Sequence, residues 1–195
     1  AAAVIGMASL VDGALAEWIA ANVAFPNGMV DRITPATSQR EIDHCRETLG
    51  IDDAWPVYCE EFKQWGLEDD FPAGRPALEK VGVQFVPDVT PYEHMKIRML
   101  NGGHAMIAYP SGLLGLEFAH DAMADDQVSA FFEKVERNEV FGVVEAVPGA
   151  TQEQYLASLK ARFGNPRIED TIRRLCLDGS NRQPKFIVPS IEDNL

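Results

Sequence analysis

One short pattern near the middle of the chain divides the sequence into two parts. Thr90, Pro91 and Glu93 form a capping box with proline at the first helical position, which marks the start of a helix. Before this point short apolar runs alternate with turn residues and helical segments, whereas helical periodicity dominates after it. The pattern predicts an α/β part over residues 1–88 and a mostly α-helical part over residues 89–195.

Local signals predict the elements within each part. Apolar spacing predicts a helix over residues 1–22, interrupted at Asp12 and Gly13, and a second helix over residues 37–49 that Thr37 or Ser38 caps. Short apolar runs predict strands within residues 29–34, 57–67 and 81–86. In the second part, helices are predicted over residues 90–108, 121–137, 151–163 and 168–177.

Charge and cysteine content exclude several classes of partner. The 195 residues carry 17 Lys+Arg against 30 Asp+Glu, a net charge of −13, which argues against binding to nucleic acid or to an anionic membrane. Cys45, Cys59 and Cys176 are few and widely spaced, which argues against a disulfide framework or a zinc site. The same cysteine pattern favours a reducing compartment, so a cytoplasmic protein is expected. No apolar run is long enough to cross a membrane.

The predicted helix that starts at Thr90 carries the side chains best suited to chemistry. At about 100° per residue, Glu93, Asn101 and His104 lie within about 140° of Lys96, on a face that also holds leucine and isoleucine. A helix that faced solvent would not interleave these residue types. The pattern indicates a polar site on a half-apolar surface, although a structural helix with the same residues remains an alternative.

Such a set supports the proton half of an alcohol oxidation. A partly desolvated lysine has a lowered pKa and can remove a hydroxyl proton, while asparagine and histidine hydrogen-bond to the oxygen. The hydride half needs a cofactor such as a nicotinamide, because no side chain accepts hydride. Gly102 and Gly103 indicate either a close approach to the helix backbone or a helix end near Leu100.

The same segment resembles a known family. Lys96, Asn101 and His104 reproduce the K-x4-N-x2-H signature of the polyol-specific long-chain dehydrogenases, the mannitol dehydrogenase family. Four further blocks are similar to that family in the same order, at residues 25–35 (FPNGMVDRITP), 50–57, 79–85 and 178–186. The chain is therefore identified as a member from motifs that extend over nearly its whole length.

The resemblance implies a fold and an organisation. Residues 1–88 would form the C-terminal part of a Rossmann-type dinucleotide-binding domain, and residues 89–195 the first part of a helical substrate domain. No G-x-G-x-x-G follows a strand in the sequence. The chain is therefore expected to be an internal fragment that lacks most of the NAD site and is inactive alone.

The resemblance also implies an activity without a metal. The family interconverts a polyol and a ketose, such as D-mannitol and D-fructose, by hydride transfer with NAD, and the family suggests a monomer. NADP stays open, because the residue that reads the ribose would lie upstream. Arabinitol, sorbitol or a hexuronate, as in a fructuronate reductase, are alternative substrates. A non-catalytic helical interaction domain is the alternative from another class.

The family's residue roles carry over to the signature positions. The resemblance makes Lys96 the general base or acid, and makes Asn101 and His104 the groups that position and polarise the reacting oxygen. Glu93 would lie on a path for protons or water.

Four further positions take binding roles from the resemblance. Val30 and Asp31 would lie beside the nicotinamide, with Asp31 also near the substrate. Arg174 would bind substrate hydroxyls. Arg182 stands where the family usually has lysine, which changes the hydrogen-bonding geometry expected of that substrate-binding position.

Overall fold

The computed structural model describes residues 1–195, which group into two compact units. The first unit comprises Ala1–Val30 and Gln64–Val89, and the second comprises Asp31–Lys63 and Thr90–Leu195. Residues 31–63, which the sequence places with the α/β part, thus group with the helical residues. The predicted domain division between residues 88 and 89 stays a prediction.

The first unit contains two helices and a small sheet. Helices α1 (Ala2–Val11) and α2 (Gly13–Asn22) are separated by Asp12, whose carboxylate accepts hydrogen bonds from the first backbone N–H groups of α2. The strands follow the order β1 (Gly28–Asp31), β2 (Gln64–Glu68) and β3 (Gln84–Val86), and β2 and β3 are parallel. Each strand is shorter than the apolar run that predicted it.

Helix α3 (Gln39–Leu49) belongs to the second unit and is bounded by local signals. The Ser38 hydroxyl accepts from the Arg40 N–H at 3.3 Å, and Glu41 accepts from the Ser38 N–H at 2.8 Å, which completes a capping box. Gly50 ends the helix in the left-handed conformation, at φ 67°. Of the two candidate caps, Ser38 is the cap, whereas the Thr37 hydroxyl donates to the Pro56 carbonyl at 2.8 Å.

The second unit is organised around one continuous helical run. It consists of α4 (Thr90–His94), a π-helical segment (Met95–Asn101) and α5 (Gly102–Leu113). The remaining helices are α6 (Ala119–Ala124), α7 (Asp126–Val135) with a second π-helical segment (Glu136–Val140), α8 (Gln152–Phe163), α9 (Ile172–Leu175), α10 (Gly179–Phe186) and α11 (Val188–Asp193). None of these helices, nor α1 to α3, is long and apolar enough to span a membrane.

The core of the second unit lies against the central run. Met99 and Ile107 from this run are fully buried, together with Phe132 of α7 and Leu156 and Leu159 of α8. Burial of such side chains stabilises the fold by about 1.5–3 kcal/mol each. The same packing holds the predicted catalytic helix among its neighbours.

Two predicted helices differ from the structure. The single helix predicted over residues 121–137 is wrong, because the Asp125 carboxylate accepts from the N–H groups of Gln127 and Val128 and starts a new helix. The helix predicted over residues 168–177 is reduced to Ile172–Leu175, since Glu169 adopts a left-handed conformation at φ 48°.

Candidate active site

The central helix changes its winding at the predicted catalytic residues. Within Met95–Asn101 the backbone hydrogen bonds span five residues, and the Gly102 N–H at its end donates to the Ile97 carbonyl. A π-helical turn holds more residues than an α-helical turn. The angle about the helix axis between Lys96 and Asn101 is therefore smaller than the roughly 140° expected for a regular α-helix.

Lys96 and Asn101 both retain capacity to bind a ligand. The Lys96 side chain is half-buried and makes no ion pair. The Oδ1 atom of Asn101 is buried and accepts no hydrogen bond. A buried acceptor without a partner costs about 1–3 kcal/mol, so such an atom is suited to a donor that a ligand or water supplies.

His104 is a buried, neutral imidazole. Its side chain is 6% exposed, and its ring stacks on Phe163 with a centroid distance of 4.0 Å and an interplanar angle of 20°. Burial holds the pKa of His104 well below its usual value, and four nearby cations lower it further. These cations are Arg174, Arg182, Arg162 and Lys96. The structure therefore brings three further predicted site residues (Lys96, Arg174 and Arg182) into the electrostatic environment of His104.

Arg174 is held by an acid that the sequence did not single out. Its Nε donates to Asp170 Oδ1 at 2.5 Å, and its Nη2 donates to Oδ2 of the same carboxylate. Asp170 is 5% exposed, whereas the Arg174 side chain remains 45% exposed. An acid four residues before an arginine is a recognised pairing pattern, so a local signal for Asp170 exists.

A cavity of about 300 Å³ lies beside this pair. Its lining includes Asp170 and Arg174. Arg40 and Tyr58 of the 31–63 segment, Phe118 at the start of α6, and Glu169 in the turn before α9 also line it. Lys96, Asn101 and His104 do not line it. The lining of this cavity therefore includes Arg174 but none of the three signature residues of the central helix.

Arg182 is engaged by backbone and by an aromatic ring. Its Nη1 donates to the Leu175 carbonyl at 2.8 Å, at the end of α9, and its guanidinium lies 5.7 Å from the Phe186 ring centroid. A cation at a helix C-terminus is favourable because the last carbonyl groups lack partners. The charge of Arg182 lowers the pKa of His104. Part of the hydrogen-bonding capacity of Arg182 is already used by the Leu175 carbonyl.

Asp31 lies in a buried ionic network. Its carboxylate is 1% exposed and accepts hydrogen bonds from Arg162 at 2.9 and 2.7 Å and from the Tyr155 hydroxyl at 2.7 Å. Arg162 also donates to Glu60, whose carboxylate accepts from the Ile33 N–H at 2.5 Å. Burial raises the pKa of Tyr155, which keeps this hydroxyl a donor. Sequence reasoning missed Arg162, Glu60 and Tyr155, because they are distant from Asp31 along the chain.

Val30 and Glu93 are the remaining predicted positions. Val30 is 59% exposed in β1, and Glu93 is half-buried in α4. No group of three or more His, Cys, Asp or Glu side chains is placed to hold a metal ion.

Two family models match consecutive parts of the chain. The mannitol dehydrogenase Rossmann domain matches residues 2–80, and the mannitol dehydrogenase C-terminal domain matches residues 88–195. The chain belongs to the mannitol dehydrogenase family. The resemblance drawn from the signature residues is thereby confirmed, as is the predicted order of a Rossmann-type domain followed by the helical domain of this family.

Named relatives agree with this assignment. Mannitol 2-dehydrogenase of Cereibacter sphaeroides is 59% identical over 193 residues, which cover 99% of the chain and 40% of the relative. The structure of Pseudomonas fluorescens mannitol 2-dehydrogenase in ternary complex with NAD and D-mannitol is 48% identical, with a TM-score of 0.88, covering 97% of the chain and 38% of that structure. A substrate-free D-sorbitol dehydrogenase is 41% identical, with a TM-score of 0.89, covering 97% of the chain and 40% of that structure. The chain thus spans about two fifths of the proteins it matches.

Proposed function

We propose that the complete protein carrying this chain is an NAD-dependent polyol dehydrogenase that interconverts D-mannitol and D-fructose, with Lys96 as general base and no metal. Membership of the mannitol dehydrogenase family supports polyol oxidoreduction. Similarity to a mannitol 2-dehydrogenase in complex with NAD and D-mannitol supports this cofactor and this substrate. The observation that carries the proposal is the unpartnered, buried Asn101 Oδ1 on the same helical run as Lys96 and the neutral His104.

The proton chemistry follows from these three side chains. Lys96 Nζ takes the proton of the reacting hydroxyl while the carbon–hydrogen bond breaks to leave the ketone. Asn101 hydrogen-bonds to the substrate through its amide, and its Oδ1 is the acceptor in need of a donor. His104, being neutral, offers one donor and one acceptor rather than a competing positive charge. In the reverse direction the lysine ammonium returns the proton to the developing alkoxide.

NAD, when bound, supplies the acceptor for the hydride. Val30 and Asp31 are the residues of this chain proposed to lie beside its nicotinamide. The two side chains differ in how available they are for contact with it. Val30 is exposed and open to contact, whereas Arg162 and Tyr155 already satisfy the Asp31 carboxylate. We therefore propose that Asp31 holds the backbone next to Val30 in place rather than binding through its carboxylate.

The other predicted roles stand as proposals with different support. The exposed part of Arg174 is available to substrate hydroxyls, while Arg182 contributes mainly its charge. We also propose that Glu93, one turn before Lys96, passes protons along the helix to water. We further propose a monomer in the cytoplasm that binds neither nucleic acid nor membranes, in keeping with a net charge of −13.

Replacement of the proposed base tests the mechanism. In the complete protein, Lys96→Ala is expected to lower kcat for D-mannitol oxidation at neutral pH by about 10²–10⁴, because loss of a general base has that effect. The matched control is Lys134→Ala, which removes an exposed lysine of α7 and should leave kcat unchanged. A Lys96→Ala protein that retains the wild-type rate would show that another group accepts the proton.

D-Sorbitol is the second substrate candidate, because a D-sorbitol dehydrogenase matches the chain with a TM-score of 0.89. A comparison of kcat/KM for D-mannitol, D-sorbitol, D-arabinitol and a hexuronate would rank the candidates. We expect D-mannitol to give the highest value. No turnover with any of them, in a folded protein supplied with NAD or NADP, would favour a non-catalytic interaction domain.

A further inference from the structure

Asp170 lies between two residues of the candidate site. Its Oδ2 is 4.0 Å from His104 Nε2, and the same oxygen accepts a hydrogen bond from Arg174 Nη2. The second oxygen, Oδ1, accepts from Arg174 Nε at 2.5 Å. One buried carboxylate therefore faces both a proposed catalytic histidine and a proposed substrate-binding arginine.

The backbone around Asp170 anchors the segment without help from the carboxylate. The Asp170 carbonyl accepts from the Ala119 N–H at 2.8 Å, which joins the chain before α9 to the start of α6. The preceding residue, Glu169, is in the left-handed conformation and directs its side chain to the surface, where it accepts from Arg40 at 2.5 Å. The two adjacent acids thus lie in opposite environments. The Glu169 side chain is 42% exposed, whereas the Asp170 side chain is 4% exposed.

A small polar space separates Asp170 from the histidine. The separation of 4.0 Å is longer than a hydrogen bond, and both side chains line a cavity of about 10 Å³. Arg162 and His120 also line it, and the buried Nδ1 of His120 has no hydrogen-bond partner. A polar cavity of this size has room for at most one water molecule, which could bridge the two groups.

We infer, resting on the proposed function, that Asp170 is a positioning residue that aligns Arg174 for the substrate and fixes the proton of His104 on Nε2. A neutral imidazole carries its proton on the nitrogen that faces a carboxylate, directly or through water. Nδ1 is then the acceptor of the ring and is available to a hydroxyl group of the polyol. The burial and cations that lower the pKa of His104 keep the ring in this neutral form.

The tautomer of His104 tests the inference without a variant of Asp170. Nitrogen NMR of the complete protein with ¹⁵N-labelled histidine, assigned by the signals that disappear in His104→Gln, reports which ring nitrogen carries the proton. We expect the Nε2–H form at neutral pH. The Nδ1–H form, or a charged ring, would overturn the inference.

The Asp170→Asn variant tests the link to the substrate. Loss of the charged partner of Arg174 is expected to raise KM for D-mannitol about tenfold, with a smaller change in kcat, and to populate the second tautomer of His104. Asp69→Asn is the matched control, since Asp69 accepts from Nε and Nη2 of Arg75 at 2.8 and 3.4 Å in the first unit. This control should leave KM and the tautomer unchanged.

The two measurements separate failure of the inference from failure of the proposed function. An unchanged KM and an unchanged His104 tautomer in folded Asp170→Asn would overturn the positioning role even if polyol oxidation is confirmed. If wild-type protein oxidises no polyol, the proposed function fails. The tautomer of His104 then still shows whether Asp170 holds the imidazole proton on Nε2. If Asp170→Asn does not fold, the tautomer of His104 in the wild-type protein alone supports or overturns the inference.

Discussion

Arg162 binds Asp31 through both of its terminal nitrogens, at 2.9 and 2.7 Å, across 131 residues of sequence. The same guanidinium binds Glu60, so one cation faces two carboxylates. All three side chains are at most 6% exposed. Removal of the cation would leave two negative charges buried together without a counter-ion. Such a change is among the substitutions that lower the free energy of unfolding most.

Arg162→Met is therefore expected to lower the free energy of unfolding by about 3–5 kcal/mol, because it leaves the Asp31 and Glu60 carboxylates buried without a counter-ion. Chemical denaturation of the complete protein at neutral pH measures this loss. The aliphatic part of the methionine side chain replaces most of the arginine stem, so the effect reports on charge more than on packing.

Arg137→Met provides the control for this prediction. Arg137 also binds two acids, Glu133 and Glu153, but its side chain is 42% exposed. Solvent-exposed pairs contribute about 0–1 kcal/mol, so this variant should lose little stability. Equal losses in the two variants would contradict the role given to burial around Arg162.

Glu136 carries a second prediction, because it is a buried acid without a partner. Its side chain is fully buried, neither carboxylate oxygen accepts a hydrogen bond, and burial raises its pKa to about 9. The folded protein holds a proton that the unfolded chain releases above pH 4.5, the ordinary value for this group. The stability associated with this proton is complete below pH 4.5 and is lost as the pH rises towards 9.

Glu136→Gln should remove this loss. At 1.36 kcal/mol per pH unit, the loss between pH 4.5 and 7 is roughly 3 kcal/mol, so the variant should gain stability relative to wild type as the pH rises from 5 to 8. Urea denaturation at both pH values measures the difference. Exposed Glu192→Gln should show no such trend. A difference between Glu136→Gln and wild type that is equal at both pH values would mean that Glu136 is ionised in the fold.

Helix starts were predictable because capping acts over two or three residues. The predicted starts near Ser38, Thr90 and Thr151 are confirmed by α3, α4 and α8. At the starts of α3 and α8, the cap and the residue it binds are neighbours in sequence. Asp125 is a cap of the same kind, and the single helix predicted across it is wrong because the apolar periodicity of residues 121–137 continues through this cap.

The relationships within the site were harder to predict, since they depend on winding and on contacts between distant residues. The signature of Lys96, Asn101 and His104 is evident in the sequence, but the π-helical winding between Lys96 and Asn101 is not. Such a turn lacks a simple residue code and arises from the packing of the helix as a whole. The bonds from Arg162 to Asp31 and Glu60 span 131 and 102 residues, a distance at which one sequence carries no pairing signal.

Gly103 supplies the last prediction. The sequence indicated a close approach to the helix at this residue, and the structure shows that the neighbours are aromatic rings of the protein itself. A Cβ atom at Gly103 would lie 2.7 Å from Phe132 Cε2 and 3.2 Å from Phe163 Cε2. Gly103→Ala should destabilise the protein by about 1–3 kcal/mol, because the overlap outweighs the gain of about 1 kcal/mol in helix propensity.

Gly112→Ala is the matched control, since it changes another glycine of α5. Its Cβ would lie 3.7 Å from Ile172 and 3.8 Å from Cys176, which is ordinary van der Waals contact, so a gain of up to about 1 kcal/mol is expected. Thermal and urea denaturation of both variants measure the two effects. Because Phe163 stacks on His104, Gly103→Ala should also shift the His104 ring resonances, whereas Gly112→Ala should not. Stabilisation by both substitutions would mean that the rings can withdraw and that Gly103 does not set the packing behind His104.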